Sequence, residues 1–150
     1  MKPTTLYNLY LLKTIPISYL AGVRIKSLDF KSCRSSVKLG LMNQNPFRSM
    51  FWAVQGMAAE FSTGILCADK IRKTNRKISM LVVQNKAEFT KKAVGRIHFT
   101  CEQGEEIERT IHHAIESGEG QTLWLHSTGV NSDGEIVSKF DFLWSFKVKG

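Results

Sequence analysis

The sequence has few of the features that name a chemistry outright. Its three cysteines, Cys33, Cys67 and Cys101, are odd in number and far apart, with no C-x-x-C pair. That argues against a disulfide framework and a structural zinc site, and for a reducing, cytoplasmic setting. No G-x-S-x-G occurs, which disfavours a serine hydrolase of the nucleophile-elbow type. Walker and dinucleotide fingerprints are missing too. His98, His112, His113 and His126 show no H-x-x-x-H or carboxylate spacing that argues for a metal. No uncharged apolar run reaches the ~18 residues of a membrane span. The apolar stretch from Leu6 to Val23 is interrupted by Asn8, Lys13 and Pro16, follows a single lysine and lacks an A-x-A cleavage pattern. It reads as a mature N-terminal helix, roughly residues 4–14, with its apolar face on the body. The other reading, a helix on a membrane surface, requires more Lys and Arg on the polar face. Internal repeats and low-complexity segments are absent.

What remains is a chain of 150 residues, 43% hydrophobic and 10% aromatic. That suits one domain over 1–150, with 1–20 as a helical lead-in. The formal charge of +8 is unevenly spread. Residues 1–50 carry 8 basic and 1 acidic side chains, residues 51–100 carry 9 and 3, and residues 101–150 carry 4 and 9. A basic front and an acidic back suggest an anionic partner: nucleic acid, a membrane surface or a phosphate-bearing ligand. An ordinary solvated surface is the plainer explanation.

Hydrophobic periodicity orders the chain. Residues 23–30 and 33–39 alternate apolar and polar and predict two half-buried strands, the first with a bulge near Ser27. An Asn-rich loop ends in Asn45-Pro46. Met50 to Ala68 is apolar on nearly all sides and contains one charge, Glu60, so it predicts a long buried helix at about 50–70 with Ser49 as its N-cap. The cations Lys70, Arg72, Lys73, Arg76 and Lys77 mark its far end. Strands follow at 78–89 and 93–102, then an amphipathic acidic helix at about 104–117 closed by Gly118. Two more strands, 121–130 and 135–149, are joined by a turn at Asn131-Ser-Asp-Gly134. Connections short enough for hairpins imply a largely antiparallel sheet. That sheet must wrap the long helix, because nothing else could bury it.

On that helix Ala53, Gly56, Glu60, Thr63, Gly64 and Cys67 form one stripe of small residues around a single carboxylate. A carboxylate there is costly to bury unless it is paired or used. A salt bridge or hydrogen bond to a neighbouring strand would explain it without function.

The stretch from Asn45 to Glu60, NPFRSMFWAVQGMAAE, resembles the helix-start signature of acyl-CoA thioesterases of the phenylacetate-pathway type. That signature runs N-x-x-G-T-x-H-G-G, then six residues, then Asp or Glu. Its Asn falls on Asn45, its Thr on Ser49 and its acid on Glu60. N-P-F-R-S with the following A-x-x-x-x-A-A-E resembles more closely an uncharacterised hot-dog family related to those enzymes. Arg48 stands where the signature has Gly, Phe51 where it has His, and Trp52 and Ala53 where it has two glycines. The resemblance implies a hot-dog fold of the α+β class: a curved antiparallel sheet of about six strands around the long helix, plus the N-terminal and 104–117 helices. It implies an acyl-thioester hydrolase whose oxyanion donor is a backbone N–H of Trp52 or Ala53, a donor that any residue except proline supplies. Phe51 and Trp52 add bulk beside that donor.

In this reading Glu60 is general base or nucleophile, and Asn45 positions the acyl carbonyl or the water. Thr63 or Ser79 could hold the water. Ser49 and Phe51 sit beside the acyl group. Arg72, Lys73, Arg76 and Lys77 could contact the phosphates of coenzyme A, with Lys91, Lys92 and Arg96 as alternatives. Coenzyme A enters only as part of the substrate, and an acyl carrier protein could carry the thioester instead. Trp52 and Glu60 are eight residues apart, or roughly 12 Å along a helix. One chain cannot present both to one carbonyl. The resemblance implies a homodimer, or dimer of dimers, in which the helix start of one copy faces the acid of the other. The rival reading is a non-catalytic dimeric module that binds acyl-CoA or lipid. Nucleic-acid binding has only the net charge in its favour, with no motif and no aromatics among the basic run.

Overall fold

The computed structural model describes residues 1–150. A first helix, α1 (Pro3–Thr14), and a short α2 (Pro16–Leu20) lead into strands β1 (Arg24–Leu28) and β2 (Cys33–Lys38). The long helix α3 (Trp52–Lys73) follows, then β3 (Ile78–Phe89), β4 (Arg96–Cys101), α4 (Gly104–Ser117), β5 (Gln121–Val130) and β6 (Ile136–Val148). The six strands form one sheet in the order β1-β2-β4-β5-β6-β3, and every pairing is antiparallel. The sheet wraps α3, the hot-dog arrangement. No helix is long and apolar enough to cross a membrane.

The inward-facing residues are those that alternation selects. Cys33, Ser35 and Val37 on β2, Ile97, Phe99 and Cys101 on β4, and Phe140, Phe142, Trp144 and Phe146 on β6 are all buried. They meet Val54, Ala58, Phe61, Ile65 and Leu66 of α3 in one core. Small polar side chains tie helix to sheet. Ser138 Oγ donates to Gln55 Oε1 at 2.8 Å, Ser62 Oγ to Ser127 Oγ at 2.7 Å, and Trp144 Nε1 to Thr63 Oγ1 at 2.9 Å. Each pairs a buried polar group that would otherwise be costly. Gly56 and Gly64 of the small-residue stripe let Phe140 and Trp144 approach: a Cβ on Gly64 would lie 3.2 Å from the Trp144 ring.

Several details differ from the sequence reading. β1 ends at Leu28 and Phe30 is exposed, because Asp29 turns the chain by accepting from the Lys31 and Ser32 N–H groups. The irregularity falls between Ile25 and Ser27, beside the expected bulge. α3 starts two residues later than Met50, and its N-cap is Phe51, with no side-chain cap; Ser49 bonds Asn45 instead. Only β1–β2 and β5–β6 are hairpins. β3 and β4 are neighbours in sequence yet lie apart, with β6 and β5 between them. Three strand spacings of ~4.8 Å are within reach of the six-residue link at ~3.3 Å per residue.

The two sheet edges are unlike. At β1 the Asn8 amide of α1 accepts from the Ile25 N–H at 2.8 Å and donates to the Ile25 carbonyl at 3.0 Å, as a neighbouring strand would. At the other edge β3 is 12 residues long, exposed from Gln84 to Phe89, and carries nothing on its free side.

α4 is set against the loop before β2. The Gly104 N–H donates to the Lys31 carbonyl at 2.9 Å. A Cβ at Gly104 would lie 2.0 Å from the Phe30 carbonyl oxygen and 2.8 Å from Lys31 Cα, and backbone cannot swing aside. Gly104→Ala is expected to cost about 3 kcal/mol by overpacking, seen as a lower urea midpoint at unchanged slope. Gly120→Ala, whose Cβ would meet nothing closer than 3.7 Å, is the control and should leave the midpoint in place.

Candidate active site

The loop before α3 builds one wall. Asn45 Oδ1 accepts from the N–H groups of Phe47 at 2.9 Å and Ser49 at 3.2 Å, and Asn45 Nδ2 donates to Ser49 Oγ at 3.1 Å. This Asx-turn brings Asn45 and Ser49 together and commits much of the Asn45 amide to the loop. Arg48, in the place where the thioesterase signature has glycine, has φ +62°, the left-handed conformation that glycine adopts without strain. The loop therefore keeps the backbone shape while carrying a side chain.

Phe51 then turns the chain into α3 with φ −58° and ψ 130°. Its own N–H donates to the Asn43 carbonyl, and its carbonyl accepts from Val54 and Gln55. The N–H groups of Trp52 and Ala53 have no acceptor in the chain. No acidic residue sits in the first turn. The positive end of a 22-residue helix is thus uncompensated, with two free donors. A cleft of about 410 Å³ opens here, lined by Asn45, Ser49, Met50, Trp52 and Gln55 and by the segment Phe89–Ala93. Trp52 forms one wall and is 59% exposed; Phe51 stacks edge-on to it and does not line the cleft. Sequence reasoning missed Gln55, which is buried in this wall and bonded to Ser138. A lone amide one turn into an apolar helix is the signal that could have found it.

Glu60 lies two turns further on, outside the cleft, as the ~12 Å separation requires. It is half-buried and its carboxylate has neither an ion-pair partner nor a hydrogen-bond partner, so the structural explanation of a salt bridge or a hydrogen bond to a strand does not hold. Its Oε1 folds back over Gly64, beside the Trp144 ring. Burial pushes its carboxyl up to about 7, into the range of a general base at neutral pH.

Other expected contacts are not gathered at this site. Thr63 is fully buried; its hydroxyl donates to the Glu60 carbonyl and accepts from Trp144, so it is not free to hold a water. Ser79 sits ten residues from Phe89 on β3, or roughly 33 Å away along the strand. Arg72 and Lys73 are tied to the buried Asp69 at 3.1 and 2.7 Å. Lys70 is buried too, under the Phe30 ring and paired with Glu108 at 3.2 Å, so the basic run is not a uniformly solvated helix end. Arg76 and Lys77 are exposed in the turn beyond the far end of α3, which is itself roughly 32 Å along the helix from Trp52. Lys91 and Lys92 do line the cleft, with Lys91 paired to Glu135, and Arg96 donates to Ser36. Of the histidines, His112 and His113 are exposed on α4, and His126 pairs with Asp141 on the outer face of the sheet.

A sequence profile described as a domain of unknown function, DUF4442, matches residues 6–146. The chain belongs to the DUF4442 family. No curated protein matches it. Among solved structures, this DUF4442 chain is similar to a protein of unknown function from Chlorobaculum tepidum, at 18% identity over 97% of this chain and 94% of that one, with a TM-score of 0.84. It is also similar to a Pseudomonas aeruginosa protein described as a probable thioesterase, at 20% identity over 99% and 97% of the two chains, with a TM-score of 0.82. A Staphylococcus aureus thioesterase, 18% identical over 92% and 98% of the chains, has a TM-score of 0.66. That protein has been solved with alanine replacing a glutamine and, separately, a glutamate fifteen residues further on. The DUF4442 chain therefore shares its fold with hot-dog thioesterases.

Proposed function

We propose that the protein is an acyl-thioester hydrolase that works as a homodimer, or dimer of dimers, on acyl-CoA or a carrier-bound acyl thioester. The observation that carries this is the pair of free N–H donors at the start of α3, where a cleft opens at Trp52, on the same helix as an unpaired carboxylate of raised pKa. The Trp52 and Ala53 donors polarise the thioester carbonyl and stabilise the oxyanion. Glu60 of a second copy takes a proton from water as the water oxygen bonds to the carbonyl carbon. The C–S bond then breaks and the thiolate leaves with that proton. Asn45 and Ser49 shape the acyl end of the cleft. Coenzyme A enters only within the substrate.

Three features support the reading. Asn45 and Glu60 are fifteen residues apart, the spacing of the two positions replaced in the S. aureus thioesterase. β3 offers a bare edge with Leu81, Val83 and Phe89 exposed, suited to pairing with a second copy. Lys92 puts an unpaired cation at the cleft itself, beside the Glu135-paired Lys91, better placed for a phosphate-bearing thiol than Arg76 and Lys77. A cytoplasmic setting goes with three free, buried thiols.

The test is release of free thiol from a panel of acyl-CoAs, short to long and aromatic. Turnover that depends on chain length supports the hydrolase. Binding without turnover anywhere in the panel overturns it in favour of a non-catalytic acyl-CoA module, with the Trp52 wall as its cause.

A further inference from the structure

The outer face of the β1–β2–β4 half of the sheet is cationic and unneutralised. Lys38 on β2 is the direct cross-strand partner of Arg96 on β4, and Arg34 lies two steps further along the same face. Lys26 adds a fourth charge from β1. Like charges directly opposite on adjacent strands are unfavourable. No carboxylate relieves them: none of the four makes an ion pair, and the only side-chain bond among them is Arg96 to Ser36 Oγ at 3.2 Å.

His98 lies in the middle, the partner of Ser36. Its Nδ1 is buried and is the one such side-chain atom without a hydrogen-bond partner. Burial, together with Arg34, Arg96 and Lys26, holds its pKa below the ordinary histidine value.

This strip adjoins the cleft. Asn43 Nδ2 donates to the Lys38 carbonyl at 2.9 Å, while the Asn43 carbonyl accepts from the Phe51 N–H at the start of α3. Asn43 thus links the Lys38 backbone to Phe51, the residue before the free donors. The strip runs roughly 13 Å from Arg34 to Lys38 and about 10 Å across three strands. That is too spread for one phosphate to engage.

We infer that this face docks an acidic protein surface, that of a carrier bearing the acyl thioester on a flexible arm that reaches the cleft at the start of α3. The inference rests on the hydrolase reading for the thioester but not for the docking. Distributed cations match distributed carboxylates. The strip's strand residues include no Phe, Tyr or Trp on which bases could stack, the Tyr19 ring beside it is already stacked on Arg24 at 3.4 Å, and Glu102 follows directly after β4, which favours a protein over nucleic acid.

The probe is an acidic phosphopantetheine carrier protein loaded with a palmitoyl thioester, titrated against the full chain at low salt. Lys26→Gln, Arg34→Gln and Lys38→Gln are combined in one variant; all three are exposed and outside the catalytic site, and its thermal midpoint reports folding. Wild type should bind the carrier with an affinity that falls with salt, and the triple variant should bind roughly tenfold more weakly. KM for palmitoyl-CoA should move less than about twofold. No carrier binding by wild type overturns the inference. So does an equal rise in KM for palmitoyl-CoA, which assigns the strip to coenzyme A, or tighter binding of duplex DNA than of the carrier. Carrier binding that the triple variant loses, with no hydrolysis of either thioester, keeps the docking face and sinks the hydrolase instead.

Discussion

Glu60→Gln protein is expected to fold, to bind acyl-CoA and to lose hydrolysis by roughly 10²–10⁴-fold, the usual contribution of a positioned base. Its amide is nearly isosteric but takes no proton at neutral pH. Wild-type kcat/KM should rise with pH through about 7 as Glu60 ionises, and then level. Stability should respond in the opposite sense. The folded-state pKa of about 7 lies above the ordinary 4.5, so the native state holds this proton more tightly than the unfolded chain. Between those values stability falls as pH rises, by up to about 3 kcal/mol in all. Glu60→Gln lacks this fall and should be the more stable protein at pH 8. Urea midpoints of both proteins at pH 5 and pH 8, beside thiol-release rates, read both effects. Equal activity in the two proteins removes Glu60 from the chemistry. Equal stability profiles would mean that the carboxylate is solvated after all.

Trp52→Pro should remove catalysis while leaving the helix in place. Proline is well suited to the first helical position, where its missing N–H has no acceptor to lose. Phe51 at φ −58° and ψ 130° already has the extended conformation that a residue before proline prefers. The substitution deletes one oxyanion donor, worth roughly 10²–10³-fold in kcat. Trp52→Ala keeps the N–H and deletes only the indole wall, so it should retain kcat and shift chain-length preference through KM. The informative quantity is the kcat ratio of the alanine to the proline protein, with helix content by circular dichroism as the control. A ratio near one would place the oxyanion elsewhere.

How far the sequence spoke depended on the range of the forces involved. Strands and the long helix were legible because alternation and unbroken apolarity record burial residue by residue. The Phe140–Phe146 face shows this, and so does the sharp end of α4 at Gly118. Neighbourhood was less legible. The short link between β3 and β4 looks like a hairpin, yet the length of β6 draws β3 along its whole edge and leaves β4 to β2 and β5. Ser49 looks like a cap, but Asn45 four residues earlier competes for its hydroxyl and wins. Lys70 looks like one of a solvated run, yet Glu108 and Phe30, distant in sequence, give it a buried berth. At the site the spacing of donors and acid was legible because both lie on one helix. The freedom of the donors and the lack of any partner for Glu60 were not, since those are properties of what surrounds them.

The unequal edges of the sheet carry a consequence for assembly. With the Asn8 amide occupying Ile25 at β1, each chain has a valence of one toward further strands. A copy that adds through β3 uses the only reactive end of both molecules and turns guarded β1 edges outward. Growth by edge pairing therefore terminates after a single step, and the fold limits its own polymerisation without needing charge or proline on the strand that remains open.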